Sequence, residues 1–186
     1  MISLRYLTTG IAVLAMAAGA TIHATTVVAL SNRALTVSAS VIATGRCVDL
    51  HTAWEGRVLV TVATISVTDV LKGEPGRTMT IALPGGADAN RKFPVAMTYA
   101  GAPQIAINED VFVFLAPQDG ITSGLTVAGF SQGKFSIVND ERGKKVVSRN
   151  LSGTTLQSPA GTRRGVATRV PLDDFKDEIK SYLNRQ

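Results

Sequence analysis

Apolar and polar residues alternate along most of the middle of this chain, and the alternation predicts strands. In "EDVFVFLAP" (residues 109–117), Phe112 and Phe114 fall on one face and Val111, Val113 and Leu115 on the other. A segment apolar on both faces predicts a central strand covered on both sides. Upstream, "VIATGRCVDLHTAW" (41–54) and "VLVTVATISVTDVLKG" (58–73) are rich in Val, Thr and Ile and flank the turn Glu55-Gly56-Arg57. They predict two long strands. In the second, Val58, Val60 and Val62 hold even positions, whereas Ala63, Ile65 and Val67 hold odd ones. A phase change near Val62–Ala63 predicts a bulge that bends the strand, as a small closed barrel needs at its corners. The alternative is a strand buried on both faces. "TMTIAL" (78–83), "LTVAGF" (125–130), "KFSIV" (134–138) and "KKVVSR" (144–149) read as further strands, separated by Gly, Pro and Asn turns. Residues 87–108 carry no clear pattern and predict a long loop.

Helical periodicity is confined to the ends. "PLDDFKDEIKSYLNRQ" (171–186) places Leu172, Phe175, Ile179, Tyr182 and Leu183 on one stripe. Asp173 and Asp174 in its first turn and Lys180 and Arg185 near its end suit the helix dipole. It predicts a helix docked on the β domain, with a partner-binding helix as the alternative. "SNRALTVSAS" (31–40) predicts a short helix capped by Ser31. "SPAGTRRGVATRV" (158–170) is polar and reads as a linker.

The first residues change the picture of where the protein works. Arg5 precedes an uncharged apolar run over 7–18, and small residues follow at Ala18-Gly19-Ala20 and Ile22-His23-Ala24. This is the layout of a signal peptide over residues 1–24, cleaved after Ala24, with Ala20 as the alternative. The run is short for a membrane span. Export to the periplasm or beyond is expected, without stable membrane insertion. The organisation is then a leader (1–24), a β-barrel domain (25–157), a linker (158–170) and a helix (171–186). Cys47 is the only cysteine, so no internal disulfide is possible. Its apolar surroundings predict a buried, inert thiol.

The formal net charge is +5, unevenly spread. Between residues 134 and 169 lie Lys134, Arg142, Lys144, Lys145, Arg149, Arg163, Arg164 and Arg169, opposed only by Asp140 and Glu141. A basic hairpin of Lys134, Arg142, Lys144 and Lys145 is therefore a candidate partner-binding surface. The bland alternative is a solvated face. The loop over 87–108 is a second candidate surface.

"GFSQG" (129–133) fits the nucleophile elbow G-x-S-x-G, which makes Ser131 a candidate nucleophile. An elbow needs a helix behind the serine and a histidine base. "KFSIVNDERGKKVV" predicts strands instead, and His51, the only histidine outside the leader, lies upstream. The plain expectation is a tight connection between strands. With one such histidine, one cysteine and scattered carboxylates, no metal-ligand spacing appears, and no cofactor is expected. Scarce aromatics argue against nucleic acid.

The segments "VIATGRCVDLHTAWEGRVLVTVATISVTDVLKGEPG", "PGG", "AGAPQIAINEDVFVFLAP" and "VAGFSQGKFSIV", spanning about 41–138, resemble a family of small, uncharacterised exported bacterial proteins. The stretch 43–48 departs from that family's pattern by carrying Cys47. The resemblance brings no activity with it. More distantly, the layout is similar to the netrin-like, OB-fold-related barrel of tissue inhibitors of metalloproteinases. Those inhibitors act through a disulfide-bonded N-terminal cysteine. Thr25 cannot act so, and the inhibitory residues do not carry over. The expectation is a mainly β, OB-like barrel of about five to seven strands with a C-terminal α-helix. Its expected role is a non-catalytic binding or accessory module for another exported protein. The alternatives are an inhibitor or partner of a secreted protease and a serine hydrolase using Ser131.

Overall fold

A computed structural model describes residues 25–122 and 124–185 of the chain. The expected signal peptide lies outside the described residues. The elements in order are β1 (Thr25–Val28), α1 (Asn32–Ser38), β2 (Val41–Glu55), β3 (Val58–Lys72), β4 (Thr78–Pro84), β5 (Gly86–Asp88), β6 (Val95–Met97), β7 (Asp110–Ala116), β8 (Leu125–Val127), β9 (Lys134–Asn139), β10 (Lys145–Asn150), β11 (Thr154–Ser158), β12 (Gly161–Arg164), β13 (Ala167–Pro171) and α2 (Leu172–Leu183). The protein is mainly β with a C-terminal helix, as the alternation predicts.

The main sheet runs β13-β10-β9-β7-β2-β3-β4-β8, and an additional β7–β8 pairing closes β2, β3, β4, β8 and β7 into a ring of five. The closure is narrow. β8 meets β4 in parallel only at Leu125 and Thr126, and meets β7 only at Val127 and Thr126. One edge of β7 is shared: Leu115 and Ala116 face β8, while residues 111–113 face β9.

β7 is the common wall of two cores. Val111, Val113 and Leu115 join Ala43, Cys47, Ala63, Ile65, Ile81 and Val127 in a cluster drawn from all five ring strands, which places it inside the ring. Ile105, from the long loop, packs into the same cluster. Phe112 and Phe114 point the other way, to Phe135, Phe175, Leu35 and Ile179 beneath the two helices. All five residues from Val111 to Leu115 have zero exposure, so the expectation of a strand covered on both faces holds.

Ser31 caps α1 as expected, its hydroxyl accepting from the Ala34 N–H at 3.1 Å. α2 docks through Leu172, Phe175 and Ile179. Two expectations need correction. No bulge lies at Val62–Ala63, which pair in unbroken register with His51 and Leu50. Both residues are buried, one toward each side, so the phase change reflects burial of both faces. The register shifts fall at Ile42/Ala43, Thr44/Gly45 and Cys47/Asp49. Finally, the stretch read as a linker (158–170) is largely strand. β12 pairs with β11, which pairs with β1, and β13 extends the main sheet beside β10. Among the described residues, no helix is long and apolar enough to cross a membrane.

Candidate functional site

The turn spelled GFSQG sits where the chain leaves β8 and enters β9, both on the same edge of β7. Its glycines serve this switch. Gly129 has φ 65°, and a Cβ there would lie 2.6 Å from Leu30 Cδ1. A Cβ on Gly133 would lie 2.6 Å from the Ala128 carbonyl oxygen and 3.0 Å from that of Phe114. The Phe114 N–H donates to the Gly133 carbonyl at 2.8 Å, and the Ala128 N–H donates to the Phe114 carbonyl at 2.9 Å. The left-handed φ favours glycine at 129, and the closely passing carbonyls leave no room for a side chain at 133. After Gly133 comes β9, where an elbow requires a helix. The residue beside Gly129 at positive φ is Phe130, not Ser131. His51 bonds Asp49 on the surface at 3.0 Å and does not line the cleft that holds Ser131.

Gln132, inside the stretch expected to be a tight connection between strands, is 2% exposed. Its Oε1 accepts from the Leu30 N–H at 2.8 Å, and its Nε2 donates to the Val28 and Gly129 carbonyls at 2.8 and 3.2 Å. One side chain thus satisfies the backbone that joins β1 to α1.

Ser131 lines a cleft of about 290 Å³ together with Lys134, Ser136, Arg149, Thr154 and the 101–104 part of the long loop. Arg149 enters beside the turn. Its Nη1 donates to the Gln132 carbonyl at 2.5 Å, and its guanidinium lies 4.4 Å from the centroid of the Phe135 ring. Its Nε and the Ser131 Oγ are both buried without a hydrogen-bond partner among the described residues. Burial pulls the guanidinium below its ordinary pKa.

Of the expected basic surface, Lys134 is turned away, whereas Arg142, Lys144 and Lys145 are exposed at or beside the hairpin turn. Lys134 is nearly buried and bonds Glu109 at 2.5 Å and Ser136 Oγ at 2.9 Å. Burial alone would push the Glu109 carboxyl up. Hydrogen bonds from Lys134, Ser136 and the Ala106 N–H more than offset this and hold it below the ordinary glutamate range. Lys134 is therefore a neutralised structural cation, at the end of β9 away from the hairpin turn. Arg142 and Lys144 are exposed at that turn, which Asp140 closes by accepting from both backbone N–H groups. Lys145 borders a different groove of about 460 Å³ between the bulged ends of β2 and β3, the β9–β10 hairpin and α2. Beside Lys145, Arg46 grips Asp110 through two bonds of 2.7 and 2.8 Å, and Lys176 meets Asp69 at 2.8 Å.

The 87–108 loop is ordered by its own contacts. β5 and β6 form a small hairpin. The Trp54 indole N–H donates to Asp88 Oδ2 at 2.8 Å, which holds that carboxyl below its usual range. Arg91 bonds the same oxygen at 3.1 Å and lies 4.4 Å over the Trp54 ring. Phe93, between the two strands, is 76% exposed, and Lys92 Nζ lies 5.8 Å from its ring. Tyr99 and Ile107 are also exposed. Cys47 is buried in the ring core, where burial pushes its thiol pKa up. Comparison with protein-family models, curated proteins and solved structures finds no match to this chain.

Proposed function

We propose that this chain is an exported, non-catalytic binding module that engages another exported protein through the loop carrying Phe93. The carrying observation is that an aromatic ring is 76% exposed on a loop whose base is locked by Trp54, Asp88 and Arg91. An exposed aromatic ring is available to a partner, and aromatic side chains are enriched among the anchors of interfaces. A braced loop also loses little entropy on binding. Lys92 lies beside the ring, so the fitting partner surface is an apolar pocket with an acidic group at its rim. Arg142 and Lys144 offer a second basic contact at the β9–β10 turn. The apolar leader supports export.

The test is a crosslinked pull-down from the exported fraction of the host, comparing the unaltered chain with Phe93→Ala and with Arg142→Glu/Lys144→Glu. One dominant, salt-sensitive protein is expected. Phe93→Ala should weaken its binding about thirtyfold without lowering the melting temperature. Recovery of no partner, or equal recovery with every variant, overturns the reading.

A further inference from the structure

We propose that the outer edge of residues 161–171 receives an acidic, extended segment of another polypeptide as an added β-strand. This goes beyond the loop-mediated binding above and does not depend on it. β12 runs antiparallel beside β11, and β13 runs antiparallel beside β10. β12 ends the three-stranded sheet and β13 ends the main sheet, so both strands are edges. Residues 161–164 and 166–169 are exposed. The hydrogen bonds show which backbone groups this edge leaves open. The Ala29 N–H donates to the Gln157 carbonyl at 2.7 Å, so Gln157 turns its backbone groups to β1. Thr162 lies opposite Gln157, and Arg164 opposite Thr155. In an antiparallel ladder such pairs face away from each other, so the N–H and C=O of Thr162 and Arg164 point outward. Beyond Gly165, the Leu151 N–H donates to the Val166 carbonyl, which extends the β10–β13 register by one residue. The same alternation turns the backbone of Ala167 and Arg169 outward. Four residues thus offer N–H and C=O groups to a neighbouring strand, as strand addition requires.

Charge selects the occupant. Arg163, Arg164 and Arg169 are exposed and form no ion pair among the described residues. Residues 161–171 contain no Asp or Glu. Successive side chains of a strand point to opposite faces, so Arg163 and Arg164 flank the edge on both. Charged edge strands resist indiscriminate pairing. A second copy pairing antiparallel through this edge would bring the same arginines together, and like charges set opposite each other are destabilising. A strand with acidic side chains on both faces meets a cation on each and is drawn in by the charges that turn a second copy away.

The test is a titration of the isotopically labelled full-length chain at constant ionic strength, followed by the backbone amides of Thr162, Arg164, Ala167 and Arg169. The probes are the acetylated and amidated peptide Thr-Glu-Glu-Val-Glu-Glu-Val-Thr, its fully N-methylated form and its lysine counterpart. The N-methylated form keeps the charge but has no backbone N–H to donate. Saturable shifts and slowed exchange at the four amides are expected with the unmodified acidic peptide alone. Thr162→Pro removes one outward N–H, a change that an edge strand tolerates. It should keep the dispersed spectrum of the folded chain and weaken binding about fivefold. Arg163→Glu/Arg164→Glu should abolish saturable binding. Equal binding by the N-methylated peptide would reduce the effect to charge alone and overturns the proposal. So do equal binding by the lysine peptide, linear and unsaturating shifts with the acidic one, and unchanged affinity in either variant.

Discussion

Gln132 shows how much one side chain can hold. It is polar and buried, and it bonds the backbone of Leu30 and Val28, 102 and 104 positions away in sequence, and that of Gly129 in its own turn. Replacing it with Ala leaves the Leu30 N–H and the Val28 carbonyl unpaired in a closed site. The expected loss is about 2–3 kcal/mol, read from urea unfolding, with the β1–α1 junction opening first in hydrogen exchange. Glu109 and Lys134 make a second case. The folded Glu109 carboxyl titrates below its unfolded value, so its stabilising share is complete above the unfolded pKa of about 4.3 and is lost as pH falls through the folded one. Unfolding midpoints measured from pH 7 down to pH 3 should therefore fall. In Glu109→Gln that share of the slope should vanish, and stability at pH 7 should drop by about 2 kcal/mol because Lys134 keeps a nearly buried charge.

Among the elements, α2 shows how a local pattern becomes tertiary energy. Its stripe is written in the sequence, but the stripe does not say what it covers. The answer is the outer face of β7 and β9, where Phe175 lies 5.0 Å from Phe112 and 4.8 Å from Phe135, centroid to centroid. Phe175→Ala should cost about 3–5 kcal/mol, most of the stability of a domain this size, and should expose α2 to limited proteolysis before the ring strands. The β12 strand is the opposite case. Its residues are all exposed and polar, so nothing in their pattern distinguishes strand from linker. It is a strand because β11 presents hydrogen-bonding groups to it. Backbone pairing leaves no mark on side-chain periodicity, and that is why 158–170 reads as a connection.

Across the whole molecule, the two cores meet on β7, and local stability should follow that arrangement. Amides of β2 and β7 should exchange slowest, near the global unfolding rate. Those of β12 should exchange orders of magnitude faster, because no apolar burial resists their opening. Exchange measured by mass spectrometry on the native protein checks this. Slow exchange in β12 would mean that the β1-β11-β12 sheet is held by more than its visible contacts. The sequence by itself determined the strand-rich class, the two-faced burial of β7, the Ser31 cap and the apolar stripe of α2. Each follows from side-chain period or cap chemistry within a few residues. Tertiary structure alone decided that GFSQG switches the partner of β7 and that the bulges fall near Cys47 and Gly45. It also turned Lys134 inward to Glu109 and left Arg149 without a carboxylate among the described residues. Those outcomes depend on which groups meet across long separations, where hydrogen bonds and buried charges must find partners that local sequence does not specify.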